Sequence, residues 1–160
     1  MQNKSKKKKK VISDKMSNNS NTGNEAWQRL RAQSEKLYAR CPLLMYRQIQ
    51  RVLQKSKYDL FNFENHSSLV DLIQGSPKNN RPHHILYHFT ENRFIGTERF
   101  ETKIITAHLR ELIPRVSIIG IYRSRDGFQE MLLSHGVNYA LEYSPREGSE
   151  FEQSLCKILL

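Results

Sequence analysis

The side chains of this sequence best suited to metal binding or nucleophilic chemistry are three histidines near the middle and one early cysteine. His83, His84 and His88 lie close together, and His84 and His88 share one face if the segment is a strand. Zinc sites are built from convergent cysteines and histidines, usually as spaced pairs. Neither Cys41 nor Cys156 belongs to such a pair. We therefore expect no metal ion, no cofactor and no catalytic set, and we expect His88 to form local hydrogen bonds.

Cys41 follows Arg40 directly, and a neighbouring cation favours the thiolate form of a cysteine. A lowered thiol pKa would make Cys41 reactive, whereas a buried free cysteine behaves as a small apolar residue. The sequence alone leaves both interpretations open. Two cysteines without paired spacing are typical of a reducing compartment. No apolar run approaches the roughly 20 residues of a membrane span, so we expect a cytoplasmic protein, or a nuclear one in a eukaryote.

The positive charge of the chain is concentrated at its N-terminus. The formal net charge is +10, and residues 1–24 carry seven lysines against one acid, Asp14, a net +6. This Lys-, Asn- and Ser-rich segment has too few apolar groups to offset its ordering entropy, which predicts a disordered tail. Its basic run could attract nucleic acid or another polyanion without reading sequence, or could simply keep the protein in solution. The lysines of that run are Lys4, Lys6, Lys7, Lys8, Lys9 and Lys10.

Beyond a predicted helical linker at residues 25–35, strand-like and helix-like segments alternate five times. The strand-like segments are KLYA (36–39), YDLFNF (58–63), HILYHF (84–89), VSIIGIY (116–122) and VNYALEY (137–143). Each is followed by a stretch with apolar residues at helical spacing. Such alternation predicts an α/β domain with a doubly wound, flavodoxin-like sheet of five parallel strands. Its functional crevice is expected at the carboxyl ends of those strands.

With these elements placed, residues 36–160 resemble the receiver domain of bacterial response regulators. The segment KLYARCPLLMYRQIQRVLQKSKYDLF is similar to the receiver opening, in which the first strand ends in two acids and a proline follows shortly. Here Arg40 and Cys41 stand in place of the acids and Pro42 is kept. The third strand of a receiver ends in the phospho-accepting aspartate, and His88 occupies that place.

The other polar positions of a receiver pocket have changed as well. Where the fourth receiver strand ends in Thr or Ser, this chain has Gly120 or Ile121. The lysine after the fifth strand falls on Tyr143 or Ser144, with Pro145 retained. A receiver needs its acids to hold Mg²⁺, which prefers carboxylate oxygens. The resemblance is therefore to a degenerate pseudo-receiver without the phosphorylation residues.

This resemblance implies a phosphorylation-independent interaction module in signal transduction or transcription control, not an enzyme. Receivers present the face made by helix four, strand five and helix five to a partner, and here that face comprises residues 128–135, 139–143 and 151–160. The partner would be a regulatory protein or a second copy of the chain. Two alternatives remain open: a nucleic-acid-associated protein that uses its basic tail, and an enzyme of another type that uses His88 and Cys41.

Overall fold

The computed structural model of the chain describes Glu25 and residues 34–89, 95–124 and 126–160, with side chains from Thr102 onward in the segment that begins at 95. The predicted disordered tail at 1–24 lies outside the described residues, and so does nearly all of the predicted helical linker at 25–35. Both remain predictions. The folded domain comprises Glu35–Leu160 and opens with a strand.

Five strands alternate with five helices along the described domain. The strands are β1 (Glu35–Arg40), β2 (Tyr58–Asn62), β3 (His84–His88), β4 (Ser117–Tyr122) and β5 (Tyr139–Glu142). The helices are α1 (Leu43–Val52), α2 (His66–Gly75), α3 (Ile95–Leu112), α4 (Phe128–Ser134) and α5 (Glu150–Leu159). None of the helices in the described ranges is long and apolar enough to cross a membrane.

All five strands form one parallel sheet in the order β2-β1-β3-β4-β5. One hydrophobic cluster packs α1 and α5 on one face, and a second packs α2, α3 and α4 on the other. This is the flavodoxin-like doubly wound arrangement that the alternating sequence pattern predicts. The α/β fold class is confirmed.

The middle of the sheet shows why VSIIGIY reads as a buried strand. Successive side chains of β4 point to opposite faces, so Ile118 joins the cluster under α2–α4 while Ile119 joins the cluster under α1 and α5. Both isoleucines are fully buried. Burial of each such side chain contributes roughly 1.5–3 kcal/mol, which explains why a strand covered on both faces reads as a continuous apolar run.

Local signals set the start of α2, at the carboxyl edge of the sheet, and the end of α4, at its amino edge. Helix α2 is capped by Asn65, whose side-chain oxygen accepts a hydrogen bond from the Ser68 amide at 2.8 Å. The cap lies directly before His66, the first residue of the helix. Helix α4 is followed by Gly136 at φ +100°, the left-handed conformation that the sequence predicts for a closing glycine.

Candidate functional site

Two of the predicted pocket residues, Arg40 and His88, lie at the carboxyl ends of β1 and β3, which are neighbours in the sheet. Arg40 ends β1 and is paired in register with Tyr87 of β3. Its guanidinium donates from Nη1 to the carbonyl oxygen of His88 at 3.1 Å, and its Cζ lies 5.4 Å from the centre of the Tyr87 ring. Arg40 therefore ties the ends of the two strands together, with its charge against an aromatic ring.

His88 ends β3 and is only 4% exposed. Its Nε2 is buried and has no hydrogen-bond partner among the described residues. Burial, together with the nearby charges of Arg123 and Arg40, lowers the pKa of His88 from 6.5 to about 4. At neutral pH the imidazole is uncharged, so His88 presents a neutral donor or acceptor at the end of β3.

Cys41 is held by Asn62, the last residue of β2. The Cys41 amide donates to Asn62 Oδ1 at 3.2 Å, and Asn62 Nδ2 donates to the Cys41 carbonyl oxygen at 3.1 Å. The thiol lies 3.6 Å from the same Oδ1. Burial raises the pKa of Cys41 to about 12, and the charge of Arg40 opposes this only in part. Of the two interpretations that the sequence leaves open, the structure therefore supports the second, and Cys41 is a buried thiol at neutral pH.

Gly120 lies inside β4, two residues before its end, and packs under helix α4. A Cβ at this position would lie 2.9 Å from Val137 Cγ1 and 3.3 Å from Phe89 Cε2. The glycine thus allows close packing of the β3 and β4 ends against the segment after α4. Tyr122 is the residue that ends β4, and its ring packs against Phe128 with centroids 5.5 Å apart.

Tyr143 and Ser144 follow β5 and turn toward helices α5 and α1. The Tyr143 ring packs edge-on against Phe151 with centroids 5.4 Å apart. The carbonyl oxygen of Ser144 accepts a hydrogen bond from Gln48 Nε2 at 2.9 Å. The structure therefore brings three of the predicted pocket residues, Arg40, Cys41 and His88, to neighbouring strand ends. Tyr143 and Ser144 instead contact helices α5 and α1.

A polar network on that side centres on the buried carboxylate of Glu152. It accepts from Gln48 Nε2 at 3.0 Å, from Arg51 Nη2 at 2.7 Å and from the Gly148 amide at 2.8 Å. Burial alone would raise the pKa of Glu152, but these donors outweigh it and hold the pKa below its ordinary value. The network joins α1 to the start of α5.

Sequence reasoning missed a pair of histidines beside Arg40. His66 of α2 and His108 of α3 approach with Nε2 and Nδ1 3.2 Å apart, and the His66 ring packs against Tyr87 with centroids 5.9 Å apart. Burial lowers the pKa of His66, and His108 and Arg40 lower it further. The two histidines are 42 positions apart and meet only through the packing of α2 against α3, for which the sequence carries no local signal.

The ends of the neighbouring strands β1 and β3 therefore carry a cation and an imidazole. Among the described residues, no group of three or more histidines, cysteines or acids is arranged to hold a metal ion. The ends of β1 and β3 supply a guanidinium and an imidazole, neither of which provides the carboxylate oxygens preferred by Mg²⁺.

No protein-family model matches this chain, and no curated protein matches it. Solved structures do match. A response regulator from Thermotoga maritima aligns with a TM-score of 0.61 at 9% identity, over 79% of this chain and 98% of that one. The N-terminal domain of the lantibiotic response regulator NsrR gives 0.56 at 23% identity, over 79% and 98%. The chemotaxis response regulator CheY4 of Vibrio cholerae gives 0.57 at 12% identity, over 79% and 99%. The resemblance seen in the sequence is confirmed at the level of the fold, and this chain has the fold of the response-regulator receiver domain.

Proposed function

We propose that this chain is a regulatory protein-interaction module of signal-transduction or transcription-control type that works without phosphorylation. The observation that carries the proposal is the pairing of a receiver fold with Arg40, Cys41 and His88 at the strand ends. In the receivers that the chain resembles, those positions hold Mg²⁺ and accept the phosphoryl group. Phosphoryl transfer depends on such a metal to neutralise developing charge.

The contacts at this edge support the loss of that chemistry. Arg40 places a permanent cation beside the end of β3 and is anchored there by its hydrogen bond to the His88 carbonyl. A divalent cation at this edge would face that guanidinium without the carboxylates that usually offset its desolvation. His88 lacks the carboxylate on which an acyl phosphate forms.

Phosphodonor treatment tests this proposal directly. Incubation with Mg²⁺ and acetyl phosphate, or with a beryllium fluoride complex, should leave the mass of the protein and its NMR shifts at residues 40, 41 and 88 unchanged. A phosphorylatable receiver treated in parallel provides the positive control. A stable phospho-adduct within residues 36–160, or shifts centred on the strand ends, would refute phosphorylation independence.

The face formed by α4, β5 and α5 is the surface that we propose for the partner. An open groove of about 520 Å³ lies between β5 and α5, and Glu142, Arg146 and Glu150 contribute its charged groups. On the neighbouring surface the apolar side chains of Leu133 and Tyr139 are 45% and 44% exposed. A groove with exposed apolar groups and charges of both signs suits a regulatory protein or a second copy of this chain.

A matched pair of variants tests this surface. We expect the double variant Leu133→Asp, Tyr139→Asp to lose binding. If the partner is a second copy, analytical ultracentrifugation should show loss of self-association. If it is another protein, the immobilised variant should no longer capture it. Ile104→Asp is the control, because Ile104 is 49% exposed but lies on α3. Equal loss in the control, or full retention in the double variant, would place the interaction elsewhere.

The lysine-rich N-terminus favours a second candidate function, binding of nucleic acid or another polyanion. The run at residues 4–10 concentrates six lysines. If about six phosphates of duplex DNA are neutralised, the logarithm of the binding constant should fall with the logarithm of salt concentration at a slope near −5. Replacing these six lysines with glutamine should remove the binding and its salt dependence. Binding that survives the replacement would assign recognition to residues 36–160.

The third hypothesis, an enzyme that uses Cys41 and His88, loses support from their protonation states. A nucleophilic cysteine needs a thiolate and a general base needs a pKa near the working pH. Burial raises the pKa of Cys41 to about 12 and lowers that of His88 to about 4. The Cys41 thiol is instead engaged with Asn62.

A further inference from the structure

Strand β2 forms one edge of the sheet, and among the described residues it pairs only with β1. In a parallel ladder the backbone groups of alternate residues face opposite sides of the strand. The Phe63 amide donates to the Ala39 carbonyl oxygen of β1 at 2.8 Å, so the odd-numbered residues of this segment face β1. Tyr58, Leu60 and Asn62 therefore turn their backbone groups toward the open edge.

Part of this open edge has no hydrogen-bond partner among the described residues. The Tyr58 amide donates to Ser56 Oγ at 3.2 Å, and the Leu60 carbonyl oxygen accepts from the Tyr46 hydroxyl at 3.3 Å. The Tyr58 carbonyl and the Leu60 amide make no such bond within the described ranges. A carbonyl and the amide two residues later are the pair that one residue of an added parallel strand binds. The strand also contains neither lysine nor proline, which commonly protect such edges.

A groove of about 600 Å³ lies beside this edge, between β2 and α1. Its β2 side includes Leu60 and Phe61, and Phe61 is 42% exposed. Its α1 side includes Arg47, Gln50 and Gln54, which share one face of the helix by their spacing. The groove thus offers apolar surface and hydrogen-bonding side chains next to the unpartnered backbone groups.

The charges of the groove favour an acidic ligand. Arg51 also lines it but is bound to Glu152 at 2.7 Å, whereas Arg47 has no ion-pair partner among the described residues. The one acid of β2, Asp59, points to the other face of the sheet, where it is in register with Lys36 of β1. The guanidinium of Arg47 is therefore left to pair with a carboxylate from outside the described domain.

We propose that β2 is the docking site for an extended, acidic segment of a partner protein, which joins the sheet as a further parallel strand. The partner residue in register with Asp59 bonds the Tyr58 carbonyl and the Leu60 amide. The next partner residue is in register with Leu60 and faces α1, so an acidic side chain there meets Arg47. The residue after it faces Phe61 and suits an apolar side chain. This site is at the opposite edge of the sheet from β5 and is separate from the α4–β5–α5 face proposed above.

The test uses the full-length protein and a heptapeptide with blocked termini, in which valine and glutamate alternate and valine comes first and last. We expect saturable ¹⁵N NMR shifts at residues 47 and 58–62. A peptide with lysine in place of glutamate should bind about fivefold more weakly or worse, because it repels Arg47. N-methylation of the valines removes the amides that bond β2 and should weaken binding by a similar factor. N-methylation of the glutamates, whose amides face away from β2, is the control and should be tolerated.

Variants of the protein locate the site. Arg47→Glu should weaken binding of the glutamate peptide by about fivefold or more. Arg115→Glu makes the same charge change in the loop before β4 and should bind as the wild type does. Leu60→Pro removes the edge amide without removing a bond to β1, and it should also weaken binding by about fivefold or more.

Equal affinity for the two N-methylated peptides would overturn strand addition. Equal affinity of Arg47→Glu and Arg115→Glu, or shifts confined to the lysines of residues 4–10, would overturn the site. A spin label at the N-terminus of the peptide should broaden the amide signal of residue 57 more than that of residue 63, and the reverse would refute parallel addition. Shifts at residues 58–62 on simple dilution of the protein would show that a second copy occupies this edge, against the proposal.

Discussion

Acid should destabilise this protein through His88, whose imidazole is buried in its neutral form. Burial and two arginines lower its pKa from 6.5 to about 4 in the folded state. Between these two values the unfolded chain binds a proton at this position and the folded chain does not. Stability is therefore retained above pH 6.5 and falls as the pH drops toward 4.

The size of the effect follows from the shift. Each pKa unit corresponds to about 1.36 kcal/mol, and the excess proton uptake by the unfolded state between pH 7 and pH 5 lowers the free energy of unfolding by about 2 kcal/mol. Burial also lowers the pKa values of His66 and His84, which adds to the loss in the same direction. The contribution of His88 is therefore measured as a difference between variants.

Urea unfolding at pH 7 and pH 5 provides the measurement, together with an NMR titration of the histidine ring protons. His88→Leu should lose about 2 kcal/mol less than the wild type between the two pH values. His83→Gln is the control, because the His83 side chain is 78% exposed, and it should lose as much as the wild type. A His88 ring that titrates near 6.5, or a His88→Leu protein as sensitive to acid as the wild type, would refute the reasoning.

Two further substitutions, with Gly75→Ala as a control, test the packing, and a third tests the Glu152 network. Gly120→Ala should lower the free energy of unfolding, measured in urea, by about 1–3 kcal/mol, because its Cβ would lie 2.9 Å from a valine methyl group. Gly75→Ala is the control: a Cβ at this position would have no atom within 4 Å, so the change should be neutral or stabilising. Ile119→Asp should prevent folding, since an unpaired buried carboxylate costs several kcal/mol, and a cooperative melt in circular dichroism would contradict this. The fold lowers the pKa of Glu152, so the ionised carboxylate stabilises the protein above pH 4.5. Glu152→Gln should therefore lower the free energy of unfolding most above pH 4.5, and its difference from the wild type should shrink as the pH falls below that value.

The elements of this fold were predictable because the hydrophobic pattern of the sequence agrees with its local signals. The strand at 116–122 is continuous and β-branched, and β4 occupies Ser117–Tyr122. Gly136 marks the end of α4, and its positive φ is a conformation that glycine adopts at little cost. Parallel pairing follows from the alternation of strand and helix, so the sheet could be inferred from the order of the elements.

The chemistry of the edge was harder to predict because it depends on which face each side chain takes. Arg40 and Cys41 are adjacent in sequence, but consecutive residues of an extended chain point to opposite sides. Arg40 thus contacts Tyr87, whereas Cys41 joins the cluster under α1 and α5, where burial outweighs the neighbouring charge. The pairing of His66 with His108 likewise depends on tertiary contact between two helices.

The hydrogen bonds at the strand ends hold the carboxyl edge of the sheet together. Asn62 joins the ends of β1 and β2, and Arg40 joins the ends of β1 and β3, so side-chain hydrogen bonds to backbone atoms link three neighbouring strands. Hydrogen bonds from a charged donor contribute roughly 1.5–3 kcal/mol. A ligand or partner shifts a conformational equilibrium only by its differential affinity for the two states. A partner that prefers a rearranged end of β3 would therefore have to supply the free energy that breaks the Arg40 hydrogen bond.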